Sequence, residues 1–86
     1  MVQIAFDEIG SNWVDASTLG TLTSESSYFI QNRGAGVLLA VESASEPQTE
    51  AGTVVNPLKV FKYTVGEEKL WLKSIMGSCL VNISEA

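Results

Sequence analysis

Several residue types are scarce in this chain, and each scarcity excludes something. Among 86 residues there is no histidine, one cysteine, two prolines and only five basic residues. Without histidine, the side chain that most often moves protons near neutral pH is missing, and no serine can join a histidine-dependent triad. A lone cysteine, Cys79, permits no internal disulfide, and with no histidine beside it no zinc site. It sits in Cys79-Leu80-Val81-Asn82-Ile83, a strand-like run, and is expected to be a buried, inert thiol suited to folding in a reducing cytoplasm. The longest apolar run, Val37 to Val41, is far short of the roughly 20 residues a membrane helix needs. The N-terminus shows no basic segment followed by an apolar one, so no secretory signal is read. No membrane partner and no cofactor are expected.

The charge is sparse and unevenly placed. Ten acidic residues against five basic ones give a net charge of −5. All the basic residues (Arg33, Lys59, Lys62, Lys69, Lys73) lie between positions 33 and 73, while the first 32 residues hold Asp7, Glu8, Asp15 and Glu25 and no base. An acidic chain repels phosphate, which argues against nucleic acid as a partner. The acidity serves solubility, or else docks the N-terminal third on a basic surface.

What is present is β-forming sequence. A chain of this length makes one domain, 1–86, and buries about 60–65% of its unfolded surface. Segments of four to seven residues rich in Val, Ile, Tyr, Phe and Trp recur along it, punctuated by Gly, Pro, Asn and Ser, and no window carries a helical apolar stripe. Strands are expected near 27–32, 37–43, 53–55, 58–65, 69–74 and 79–84, with a further short one at Asn12-Trp13-Val14. Residues 1–26 are either an N-terminal arm with short strands or part of the sheet. Within that stretch 18–26 is read as an extended connection or edge strand. Glu46 to Gly52 is read as an insertion-tolerant polar loop. The fold expected is all-β: a small antiparallel β-sandwich or partly open barrel of about six to eight strands.

Three turns carry most of the pairing expectations. Asn32-Arg33-Gly34-Ala35-Gly36 offers residues that tolerate positive φ, which suggests a tight hairpin between Ser27–Asn32 and Val37–Ser43. Gly66-Glu67-Glu68 turns back the long strand, and Met76-Gly77-Ser78 closes a last hairpin. Alternation places Leu70 and Leu72 opposite Trp71 and Lys73, and Cys79, Val81 and Ile83 opposite Leu80, Asn82 and Ser84. The 58–65 strand breaks this rule, because Leu58 and Val60 share one parity while Phe61, Tyr63 and Val65 share the other. Either its second face is covered, by more sheet within the domain or by a neighbouring subunit, or a bulge near Phe61 shifts the register.

The search for chemistry yields little. Glu67-Glu68 and Asp7-Glu8 are expected to be solvated, and Gly34-Ala35-Gly36 lacks the Lys-Ser/Thr and the helix of a phosphate loop. Asn82-Ile83-Ser84 matches the glycosylation sequon, a weak tripeptide signal without a secretory route. No catalytic or metal-binding residue is assigned and no enzyme is expected. Candidate interface residues are Trp71, whose parity opposes the leucines beside it, Trp13, and Arg33, which projects from a turn and could form a bidentate pair with a neighbour's carboxylate.

The run Ser27-Tyr28-Phe29-Ile30-Gln31-Asn32-Arg33-Gly34, with Leu39-Ala40-Val41-Glu42-Ser43, Pro47 and Lys69-Leu70-Trp71-Leu72-Lys73, resembles small virion structural proteins of tailed bacteriophages, of the capsid-decorating or head-stabilising type. The resemblance covers about residues 27–86. A proline-glycine turn before the Lys/aromatic strand is usual in such chains; here Asn56-Pro57-Leu58 stands instead. The resemblance implies a non-enzymatic particle component that folds in the host cytoplasm, binds the major capsid protein or neighbouring virion subunits, and self-associates. Its alternatives are a tail-fibre module recognising a host-surface glycan through Trp13 or Trp71, and a non-catalytic accessory domain.

Overall fold

In the computed structural model, which describes residues 3–86, eight strands form two antiparallel four-stranded sheets facing each other. They are β1 (Gln3–Ile9), β2 (Val14–Asp15), β3 (Ser27–Asn32), β4 (Val37–Ser43), β5 (Thr53–Val55), β6 (Val60–Thr64), β7 (Lys69–Met76) and β8 (Cys79–Glu85). A single 3-10 turn, Ala16–Thr18, follows β2. Sheet A has the order β1-β8-β3-β6 and sheet B the order β2-β7-β4-β5. Strand boundaries at 27–32, 37–43 and 53–55 agree with the sequence expectation. So does the all-β sandwich.

The pairing has a simple logic. β1 pairs with β8, β2 with β7, β3 with β6 and β4 with β5, as in one long hairpin folded about the β4–β5 connection. Wrapping that hairpin brings β3 beside β8 and β4 beside β7, which completes both sheets. This is the eight-stranded jelly-roll arrangement.

That wrapping overturns the three expected hairpins. β3 and β4, β6 and β7, and β7 and β8 lie in opposite sheets, so each short link is an arch from one sheet to the other. Period-2 alternation identifies the inward face of a strand but not its neighbour, and a tight link serves an arch as well as a hairpin. The glycines between β3 and β4 also act differently from the expectation. Neither has positive φ; among the described glycines only Gly77 does, at 70°. A Cβ on Gly34 would lie 2.6 Å from Leu80 N, and one on Gly36 would lie 2.5 Å from Met76 O. They are glycines because the arch runs against the β7–β8 link with no room for a side chain.

The core lies between the sheets. Sheet A contributes Ala5, Ile9, Tyr28, Ile30, Tyr63, Cys79, Val81 and Ile83, and sheet B contributes Leu38, Ala40, Val55, Leu70 and Leu72. Cys79 is free and fully buried. Residues 3–9 are a paired strand rather than an arm; Met1 and Val2 lie outside the described residues. The stretch expected as an exposed connection or edge strand at 18–26 is irregular, with Leu19 and Leu22 packed on the core. Tyr28 Oη accepts from Thr23 N–H at 2.7 Å and fastens that segment.

The strand expected at 58–65 is shorter, Val60–Thr64, and has no bulge at Phe61. The register shifts fall instead between Gln3 and Ala5 and between Val37 and Leu38. Phe61, Tyr63 and Val65 pack on the core, while Val60 is 52% exposed. No second layer from the described residues covers that outer side.

One polar residue joins the two sheets. Asn32, at the end of β3, is fully buried. Its Nδ2 donates to Gly36 O at 2.8 Å and to Val55 O of β5 at 3.0 Å, and its Oδ1 accepts from Gly34 N–H at 3.1 Å. Asn32→Leu retains approximate size but strands two carbonyls and one N–H, so a loss of about 2–4 kcal/mol is expected in urea denaturation. A loss below about 1 kcal/mol would show that the crossing holds without the amide.

Candidate functional site

The two outer faces of the sandwich differ, and the difference defines the candidate site. On sheet B the middle of the outer face is covered by the chain itself, while Val54 of β5 is 53% exposed and Ile75 of β7 is 40% exposed. Leu39, outside the main core cluster and opposite Lys73 and Val54, is only 1% exposed. Trp71 is half-buried, lies opposite Val41, and donates its indole N–H to Ser43 O at 3.0 Å. Lys73 Nζ stands 5.1 Å from the centre of the Trp13 ring and pairs with Glu50 of the 44–52 connection. Trp71 therefore faces away from the core, as its parity predicts, and both tryptophans are engaged within the chain.

Sheet A carries an outer face that is partly open, with Phe6, Val60 and Leu80 exposed and Ser84 buried. Register aligns Phe6 of β1, Asn82 of β8, Gln31 of β3 and Val60 of β6 in one transverse row. Ser84, Phe29 and Lys62 form the row on one side of it. Glu8 and Leu80 lie on the other side. Arg33 continues that last row, since its N–H donates to Leu80 O at 2.6 Å just beyond the end of β3. Phe6 is 48% exposed and Leu80 37%, and Phe29 is half-buried. Phe29, Gln31, Val60, Asn82 and Ser84 line a shallow groove of about 310 Å³. The arrangement is a set of apolar side chains around two amides, with Glu8 toward one edge and Arg33 and Lys62 toward the other. Such a surface buries apolar area and fixes register by hydrogen bonds; it holds no nucleophile–base pair.

Arg33 is exposed and its guanidinium has no partner among the described residues. The structure thus brings Arg33 to the uncovered face, with Trp13 and Trp71 on the opposite side of the sandwich. Phe6, Val60, Leu80 and Leu58 were missed as site residues. The double parity of Leu58 and Val60 against Phe61 and Tyr63 was the signal for two of them; Phe6 and Leu80 needed the β1–β8 pairing.

A second opening of about 200 Å³ lies at the β5–β6 edge, lined by residues that include Ala40, Glu42, Gly52, Tyr63 and Leu70. Burial, with the nearby negative charge of Glu42, raises the Tyr63 phenol above its ordinary pKa, against a hydrogen bond with the Gly66 backbone. The phenol stays protonated at neutral pH, and the Gly66 bond opposes the shift because it stabilises the phenolate, with Tyr63 Oη as its acceptor. No group of three His, Cys, Asp or Glu able to hold a metal ion occurs among the described residues. No helix of the described residues is long and apolar enough to cross a membrane.

No family model, curated protein or solved structure matches this chain. Its topology and surface are therefore what any functional reading rests on, beside the resemblance at residues 27–86.

The one strongly supported carboxylate is structural. Asp15 caps the 3-10 turn through the Ser17 N–H at 2.9 Å and the Ser17 hydroxyl at 2.8 Å, and pairs with Lys69 at 3.5 Å. Burial pushes its pKa up, but those hydrogen bonds and the lysine outweigh it and hold the carboxyl below its ordinary 3.8. A lowered folded-state pKa contributes stability above the unfolded value, and that stability disappears as pH falls through the folded value. Asp15→Asn is expected to lower Tm at neutral pH and to flatten the fall in Tm below pH 3.8. An unchanged acid limb in a thermal scan series would remove Asp15 from the account.

Proposed function

We propose that this chain is a non-enzymatic structural protein of a tailed-bacteriophage particle, which folds in the host cytoplasm and holds neighbouring virion subunits together through the outer face of sheet A. The observation that carries the reading is the outer face of sheet A, where exposed Phe6, Val60 and Leu80 and half-buried Phe29 surround two amides; on sheet B the tryptophans and the 44–52 connection cover the middle of the outer face and leave Val54 and Ile75 exposed. Exposed apolar side chains gathered on one face, here set around two central amides, are the kind of surface that docks a partner. Jelly rolls build viral capsid domains and also lectins and cupins, so the topology agrees with the reading by analogy without selecting it.

A lattice suits a domain of this size. Each copy offers one small face, and repeated weak contacts on a particle multiply through effective concentration. The absence of histidine and the structural use of Asn32, Gly34 and Gly36 fit a chain whose recognisable motif builds a fold rather than a reaction centre. The glycan-recognition alternative drew on Trp13 and Trp71. Lys73 lies over one face of the Trp13 ring, and Trp71 is half-buried with its indole N–H held by Ser43 O, which leaves less ring surface for stacking than the sheet A face offers for docking.

The test is the protein profile of purified particles from the source that encodes the chain. The chain is expected there in many copies. Phe6→Lys with Val60→Lys, both at exposed positions, is expected to fold with stability within about 0.5 kcal/mol of the parent and to be lost from particles. Particles that contain none of the parent chain would sink the reading.

A further inference from the structure

Leu58 is the residue that the chain's own folding explains least. Lys59 N–H donates to Asn56 O at 3.0 Å and closes the turn Asn56-Pro57-Leu58-Lys59. Proline at the second position and a φ of 66° at Leu58 make this a type II turn, whose third position glycine fills without strain. A leucine there clashes with its own backbone. Packing of its side chain does little to offset that strain, because Leu58 is 69% exposed. Its N–H donates to Asn32 O at 2.6 Å and its carbonyl accepts from Gln31 Nε2 at 3.5 Å, which sets it at the rim of the uncovered face beside Gln31 and Arg33. Strain kept for an exposed apolar side chain directs attention to something outside the chain.

The geometry points to a second copy of this chain as what covers Leu58, in a two-fold dimer that lays sheet A on sheet A with the axis parallel to the strands. The inference rests on the docking reading of this face and names its occupant. Sheet A runs β1-β8-β3-β6, so that axis puts β1 of one protomer over β6 of its partner and β8 over β3. The central row Phe6–Asn82–Gln31–Val60 is then self-complementary: each Phe6 meets a Val60 and each Asn82 amide meets a Gln31 amide. Charge selects the same axis. Glu8, whose carboxylate accepts from Ser78 Oγ at 2.8 Å, lies on the β1 side, and Arg33 lies in the same row on the β3–β6 side, so Glu8 of each protomer falls near Leu58 and Arg33 of the other. A two-fold across the strands would set β6 against β6 and oppose like charges. The contact is isologous, and aligned sheets within about 30° of each other pack this way inside sandwiches.

Sedimentation velocity over a concentration series tests this directly. The parent chain is expected to form a concentration-dependent dimer. Leu58→Gly is expected to raise Tm, because the turn is relieved, and to weaken dimerisation by about ten-fold or more, because the anchor is gone. The control is Glu25→Gly. Glu25, at φ 67°, is third in the turn closed by Ser26 N–H to Thr23 O, so the variant is expected to gain stability with dimerisation unchanged. Arg33→Glu is expected to weaken the dimer, and adding Glu8→Arg to restore it. A parent chain that stays monomeric at several hundred micromolar, or a Leu58→Gly variant that dimerises as the parent does, overturns the inference. A monomer found in particles overturns the dimer and leaves the virion reading standing; a dimer absent from particles does the reverse.

Discussion

One buried amide fastens the crossing around which this sandwich is arranged. The chain passes from sheet A to sheet B at 33–36, and Asn32 is the residue that makes the passage possible. Its side chain uses both Nδ2 hydrogens and Oδ1 on the backbone of Gly34, Gly36 and Val55, so the end of β3, the start of β4 and the end of β5 are tied at a single point. A buried polar group lowers stability unless its bonding capacity is met, and here it is met by carbonyls and an N–H that would otherwise be stranded themselves. The two glycines follow from the same crossing, since the arch must run against Met76, Ser78 and Leu80 of the neighbouring arch. The Asn-Arg-Gly-Ala-Gly run is thus a device for changing sheets.

With the crossings set, the two faces of the sandwich acquire different fates. On sheet B the 44–52 connection, the only one joining neighbours in the same sheet, returns across the outer face through the Lys73–Glu50 pair, and Trp13 and Trp71 are drawn into that covering. On sheet A all links are arches that leave toward sheet B, so nothing in the described chain returns over Phe6, Val60 and Leu80. A small domain gains little from placing apolar side chains in water, and it has few residues to spare for a core. The uncovered face and the leucine held at positive φ on its rim therefore belong together.

Asn56-Pro57-Leu58-Lys59 is a type II turn that carries leucine where glycine would sit without strain, and local rule-breaking of this kind is what functional surfaces tend to keep.

Local pattern alone determined the β class, the strands at 27–32, 37–43 and 53–55, and the inward side of Leu70, Leu72, Val81 and Ile83. These are properties of single segments, set by β-propensity, period-2 alternation and composition. Tertiary structure decided the rest: which strands are neighbours, that the glycine links are arches, and that Arg33 shares a face with Phe6 and Leu80 while Trp13 and Trp71 lie on the other side. The physical reason is that pairing and burial join residues far apart in the chain. Phe6 reaches Asn82 and Asn32 reaches Val55 only after the long hairpin has wrapped, and no local window of sequence records that closure.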